Sequence, residues 1–412
     1  MKDSKTIYII GAGVSGLIAA YELEQAGYFP KIIEQSAEVG GRVKTLQEKG
    51  YALDIGFQVL LSSYPMVNKY FDVDALNLIK LQPGALIYVD GKAISIGDPL
   101  RNWKMLIPTV FADIGSFNDK FKILKLNYRL KKKSIQDIFE STETSTLQYL
   151  IQLGFSPKII DRFFKPFFAG IFLESSLKTS SRMFEFVYKM FGDGYATIPQ
   201  LGIGAISNQL KNKLQQTEFL FNSEVKKITN DFIVMCNGEK FSHEGLILAS
   251  NSSSIVSSAK DEDKKWKSCM CIYFEVDQTN IPEHTIALIA DEANYANNLF
   301  AYKDLPTGKT ILSVTSLELG KSEQDIIDKI IKEVKKYTGA TIVNYIHHYN
   351  IKQALPDIQN LKTTMQPNET QFSEKIFLAG DTLLNGSLNA AMESGQLAAK
   401  ALINQLNGVS SI

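Results

Sequence analysis

The sequence predicts an α/β fold organised around a Rossmann-type dinucleotide-binding unit, and three observations carry that prediction. An apolar run, Ile7 to Ile10, ends in Gly11, Gly13 and Gly16. A helix-compatible stretch follows from about Val14 to Ala26, and a second apolar run, Pro30-Lys31-Ile32-Ile33, closes on Glu34. Strand, glycine turn, helix, strand and acid in this order describe a pocket for an adenine dinucleotide.

Each part has a physical task. Gly11 lets the chain turn tightly off the strand, and Gly13 lets backbone N–H groups approach a pyrophosphate with no Cβ in the way. Gly16 lets the helix sit close on the sheet. Ala12, Val14 and Ser15 complete the turn, whose free N–H groups and helix dipole favour an anion. Glu34, with Gln35 beside it, is placed to accept from ribose hydroxyls, and its carboxylate would repel a 2′-phosphate, which disfavours NADP.

Composition narrows the class. A chain of 412 residues exceeds a single core and predicts two domains. Lys plus Arg (44) equals Asp plus Glu (44), so no global field points to nucleic acid. The run Lys131-Lys132-Lys133 reads as a solvated helix end. Three cysteines give no disulfide framework, and the start Met-Lys-Asp-Ser-Lys lacks an apolar signal region, so the cytoplasm is the expected compartment. No apolar stretch is long enough to span a bilayer, leaving a soluble or peripheral protein. Cys269 and Cys271, two apart on a strand, read as buried core residues rather than metal ligands, and no metal is expected.

The chain beyond Glu34 is unusual for a plain nicotinamide-binding unit. Gly40-Gly41-Arg42 and then Asp54-Ile55-Gly56-Phe57-Gln58 extend the glycine-rich path, as the bulk of a flavin and its ribityl chain would require. At these residues the sequence resembles the flavin-dependent amine oxidase superfamily. Ile376-Phe377-Leu378-Ala379-Gly380-Asp381, followed by Gly386-Ser387-Leu388-Asn389-Ala390-Ala391, is similar to that family's closing FAD motif. Pro199 to Ile206 is similar to its glycine-containing return turn, leading into a helix from Ile206 to Leu214. Phe219 to Ile228 resembles the strand whose valine, here Val225, meets the adenine through its backbone. Phe232 to Cys236 and Lys240 to Ser250 read as a strand pair joined by Asn237-Gly238.

The resemblance implies a glutathione reductase-like FAD-binding domain assembled from 1–80, 199–265 and 361–412. It also implies an interleaved α+β substrate domain, 81–198 and 266–360, with a mixed sheet and a helical part. It places Gly380 and Asp381 at the ribityl and pyrophosphate region, and a helix starting near Leu388 and Asn389 with its N-terminus at the flavin pyrimidine ring. No Cys or His lies between Gly380 and Gly395, so the FAD is expected to be non-covalent. The Asp90-Gly91 hairpin and the aromatic run Phe163 to Phe172 favour the protoporphyrinogen oxidase and phytoene desaturase branch. That run suits a pocket for an apolar or aromatic substrate, a face dipping into a membrane, or an ordinary helical core.

Two departures argue against simple amine oxidation. The family's flavin-facing lysine aligns near Cys269 or Met270, with Lys267 off register, and the aromatic residue expected after Gly386 is Ser387. The resulting expectation is dehydrogenation of an apolar or conjugated small molecule by hydride transfer to flavin N5, with oxygen or a quinone as acceptor. The alternatives are an amine oxidase and a redox-neutral isomerase of the carotenoid-isomerase type. Arg42 and Gln58 are weak catalytic candidates.

Overall fold

A computed structural model describes residues 5–98, 101, 105–250, 255, 265–318 and 320–408. The remainder of the expected 199–265 segment, residues 251–254 and 256–264, lies outside the described residues.

A five-stranded parallel sheet runs in the order Glu218–Leu220, Lys31–Ile33, Ile7–Ile10, Gly245–Leu248, Ile376–Leu378. Both faces of these strands are covered, so they read as nearly unbroken apolar runs rather than alternating ones. Ile7 and Ile9 face the helices, while Tyr8 and Ile10 face an antiparallel meander of Val225–Ile228, Phe232–Met235 and Lys240–Ser242. The helix side holds Val14–Gln25 and Leu388–Leu406. Their contact is close because Gly395 lies against the backbone of Ser15, where a Cβ would meet Ser15 O at 2.3 Å.

A second, seven-stranded mixed sheet runs in the order Ile342–Pro356, Trp266–Val276, Thr310–Ser316, Ala296–Lys303, Ile286–Ile289, Gly84–Val89, Lys92–Gly97. Its back is sealed by the helix Glu323–Thr338, which ends on Gly339 in the left-handed region (φ 61°). The Asp90-Gly91 turn forms as expected, with φ of 51° and 70° at its two residues.

Two expected strands are each two strands in different sheets. Phe219 to Ile228 breaks at Asn222, whose φ of 52° no strand accommodates, so Val225 belongs to the meander. Lys240 to Ser250 breaks after Ser242, and its second half enters the parallel sheet. By contrast, the edge strand Ile342–Pro356 runs unbroken for 15 residues.

The aromatic segment is mostly core. A π-helical turn, Ile160–Phe164, leads into the helix Lys165–Phe172, and spacing by four turns Phe164, Phe168 and Phe172 inward, the first two against Phe184 and the third against Phe168. The expectation that this run dips into a membrane therefore fails, because these rings are buried. Among the described residues no helix is long and apolar enough to cross a membrane.

Candidate functional site

A cleft of about 770 Å³ opens at the carboxyl ends of the parallel strands and extends to the face of the seven-stranded sheet. Ligands of open parallel sheets sit at such edges because helix N-termini and unpaired backbone groups converge there.

The dinucleotide end is made largely of backbone. Gly11 has φ 104° and a Cβ there would stand 2.9 Å from Ala249 O, so only glycine fits. Gly16 is tighter, with a Cβ position 2.1 Å from Gly11 O. Gly13 differs: nothing lies within 4 Å of its Cβ position, which opens into the cleft. No side chain caps the helix that starts at Val14, so its first N–H groups stay free. The buried Ser250 hydroxyl, also on the cleft wall, has no partner among the described residues. An empty cradle at Gly13, free helical N–H groups and an orphaned hydroxyl together fit a phosphate-bearing cofactor.

Of the residues expected at the cofactor, sixteen line the cleft. In addition to Gly11 and Gly13 these are Val14, Ser15, Glu34, Gln35, Gly40, Gly41, Arg42, Gly56, Phe57, Gln58, Val225, Gly380, Asp381 and Leu388. Ala12, Gly16 and Asn389 do not. Ala12 is buried and its N–H donates to Glu34 Oε2 at 2.8 Å. Gly16 serves helix–sheet packing, and Asn389 turns inward so that its Oδ1 accepts the Met66 N–H at 3.1 Å. Glu34 is held by this Ala12 bond and by the Ser36 N–H and hydroxyl at 2.9 and 2.8 Å.

Arg42 and Gln58, the weak catalytic candidates, are both tied into the scaffold. The Arg42 guanidinium pairs with Asp381 at 2.5 Å, donates to Ala354 O at 3.3 Å and lies over the Trp266 ring. Gln58 donates its amide to Arg42 O at 2.8 Å and Ile55 O at 3.0 Å. Neither presents a free acid or base.

The far end is made of side chains from several elements. Phe167, Ile171, Val187, Phe191, Ile286 and Leu288 give it an apolar lining. On the sheet face, alternation points Cys269, Thr315 and Asn298 inward from three strands. Asn298 and Thr315 are directly paired across their strands and buried, yet Asn298 Nδ2 and Thr315 Oγ1 have no partner among the described residues. No sequence motif marks this pair, although the two-residue period of the strands could have placed both side chains on one face.

Cys269 occupies the cleft wall where the family pattern suggested a lysine, and burial pushes its thiol up to about 12. Cys271 is buried on the same face with its Sγ 3.4 Å from Ser313 Oγ. Lys267 points elsewhere, donating to Thr179 Oγ1 at 2.8 Å in a neighbouring hollow and lying 4.0 Å from Asp357. Ser387 lines the cleft without offering a ring, and its hydroxyl caps the final helix by accepting the Ala390 N–H at 3.0 Å.

The model of one family, flavin containing amine oxidoreductase, matches residues 14–403. The chain belongs to that family. The cleft is the place in the fold that fits that family's flavin cofactor. Protoporphyrinogen oxidase 2 of Arabidopsis thaliana is 29% identical over 168 residues, 41% of this chain and 32% of that protein. An L-amino-acid oxidase of Crotalus adamanteus is 28% identical over 168 residues, 39% of this chain and 33% of that protein. These matches thus span about a third of the relatives' length. The crystal structure of an oxidoreductase from Methanosarcina mazei shares the fold, with a TM-score of 0.72 at 15% identity, covering 97% of this chain and 100% of that one. The α/β architecture with its parallel and mixed sheets is that of this flavoenzyme group.

Proposed function

We propose that this member of the flavin amine oxidoreductase family dehydrogenates an apolar or conjugated small molecule, in the manner of the desaturase and protoporphyrinogen oxidase branch rather than of amine oxidases. The carrying observation is the lining of the cleft's far end, where apolar side chains surround one polar pair, Asn298 and Thr315, with no carboxylate, lysine or histidine among the described residues there. FAD, bound non-covalently, supplies a hydride acceptor at N5 when present.

The residues of this chain do the rest. The turn from Gly11 to Ser15 and the N-terminus of the helix at Val14 hold the pyrophosphate, and Glu34 accepts from the adenosine ribose. Gly40, Gly41, Arg42, Gly56, Asp381 and Leu388 shape the bed for the rest of the cofactor, and Val225 lies against the adenine. In this reading 1–80, 199–265 and 361–412 form the cofactor domain, and 81–198 with 266–360 the substrate domain. The apolar walls exclude water and fix a C–H bond near the acceptor, which is where orientation rather than acid–base chemistry lowers the barrier. Cys269 stays a neutral thiol, so it neither abstracts a proton nor attacks. Oxygen or a quinone would be the final electron acceptor.

The test is anaerobic mixing of the yellow protein with two panels, apolar conjugated hydride donors and primary or secondary amines, following bleaching near 450 nm. Bleaching by the first panel and not the second is expected. Bleaching by amines alone would overturn the reading, and a product isomer formed with no net change in flavin redox state would replace it with isomerisation. Peroxide release under air separates oxygen from quinone as acceptor.

A further inference from the structure

The helix Phe117–Lys132 has two apolar faces, and only one is covered. At about 100° per residue, Leu126 and Leu130 point to one side, where both are buried. Phe117, Phe121, Leu124 and Tyr128 fall within an arc of about 60° on the opposite side. Their relative exposures are 68%, 66%, 50% and 63%. The preceding short helix adds Ile107 and Phe111, exposed at 70% and 75%. The Lys120 ammonium joins the two helices by donating to Ala112 O at 2.9 Å, so the exposed rings form one neighbourhood. Isolated apolar residues on a surface are ordinary, but a stripe of this kind marks an interaction site.

The charge beside the stripe is one-sided. The helix carries Lys120, Lys122, Lys125, Arg129, Lys131 and Lys132 against one acid, Asp119, which is buried in its capping box. Lys125 and Lys132 flank the stripe on one side and Lys120 and Lys131 on the other. Among the described residues Lys125 and Lys131 form no ion pair, although the whole chain has a formal net charge of zero. Lys132 lies over the Tyr128 ring at 4.2 Å, extending the apolar surface up to the charged rim.

We propose that this face is a docking surface for an anionic lipid bilayer, with the aromatic stripe entering the headgroup boundary and the flanking lysines meeting lipid phosphates. A second copy of the chain fits the same face poorly, because two such basic rims would repel. The surface stands one layer from the cleft: Ala112 and Ile114, between the two helices, pack in one cluster with Phe163 and Phe167, and Phe167 lines the apolar end of the cleft. A lipid-dissolved substrate would therefore have a short path, but the docking surface stands without that substrate reading.

The experiment is co-sedimentation of the FAD-loaded full chain with vesicles of phosphatidylcholine alone or of equal parts phosphatidylcholine and phosphatidylglycerol. Binding is expected only to the anionic vesicles and is expected to weaken with salt. The exposed changes Phe121→Glu and, separately, Lys125→Glu with Lys131→Glu should each weaken partitioning roughly tenfold or more. Circular dichroism and retained yellow colour report that each variant is folded. Absence of wild-type binding to anionic vesicles, or binding unchanged in both variants, overturns the proposal. So does concentration-dependent dimerisation without lipid that Phe121→Glu abolishes, which would assign the face to a second copy.

Discussion

At one end of the cleft the wall is backbone, held by glycines whose missing Cβ atoms define the space; at the other it is side chains, delivered by strands and helices far apart in the chain. The difference teaches where specificity is stored. A pyrophosphate needs only N–H groups and room, so a short local motif can specify its bed. A substrate is recognised by shape and by a few polar atoms, and those come from any element that reaches the cavity.

The two kinds of glycine at the backbone end separate cofactor binding from folding, and this gives the largest expected effect. Gly13→Val places a side chain into open cleft at a residue with φ of −71°, which valine tolerates. The protein should fold and lose FAD by about a hundredfold or more, since the added atoms occupy the space of the phosphates. Gly16→Ala instead drives a Cβ to 2.1 Å from Gly11 O and should destabilise the fold itself by about 3 kcal/mol or more. Flavin absorbance per protein and thermal melting of flavin-free samples distinguish the two. Equal damage to folding by both would erase the contrast.

The junction of the two ends is the ion pair of Arg42 with Asp381, whose side chains are 35% and 5% exposed. Arg42→Met leaves the buried carboxylate without its cation and should cost about 2–3 kcal/mol, whereas Asp381→Asn should cost less, because the freed guanidinium is partly solvated. Chemical denaturation of both single variants and the double variant measures the asymmetry. A larger loss for Asp381→Asn would show that the pair is held for the guanidinium's sake.

At the side-chain end a smaller effect of mixed sign is expected. The Thr315 hydroxyl is buried without a partner among the described residues, so Thr315→Val should leave stability unchanged or raise it by about 1 kcal/mol. The same change should raise KM roughly tenfold once a substrate is in hand, if Thr315 and Asn298 recognise its polar group. A stability loss with KM unchanged would make the pair a structural feature only.

The same contrast explains what was legible in the sequence. Gly11, Gly13, Gly16, Glu34 and Gly380 are fixed by local backbone geometry, and the helix start at Leu388 by the Ser387 cap, so each leaves a short-range trace. The breaks at Asn222 and after Ser242 leave polar interruptions, Asn222-Ser223-Glu224 and Ser242-His243-Glu244-Gly245, but such residues also fit a continuing strand's solvent side, and only the second sheet decides the split. Asn298 and Thr315 are 17 positions apart in sequence and unremarkable in composition; their meeting depends on the register of two long strands. The aromatic run was legible as an aromatic helix with core as one of its readings, but not which rings go inward, since Phe164 and Phe184 become partners only in three dimensions.

The one effect that depends on pH lies beneath both ends, where Asp54 links them. Its Oδ1 accepts from the Thr45 hydroxyl at 2.5 Å and the Ile203 N–H at 3.0 Å, and its carbonyl accepts from the Tyr273 hydroxyl of the seven-stranded sheet at 2.7 Å. Burial outweighs those two hydrogen bonds and raises the carboxyl to about 6 from an ordinary value of 3.8. Between these values the folded chain keeps a proton that the unfolded chain has released, so this group's contribution is full below about pH 4 and is lost as pH rises through about 6. Asp54→Asn keeps a side-chain oxygen for the two donors but has no charge to bury. Relative to the parent it should therefore gain on the order of 1–3 kcal/mol between pH 4 and pH 7.5. Melting the two proteins side by side across that window reads the difference directly; a gap that does not change with pH would mean that Asp54 is solvated enough to ionise normally.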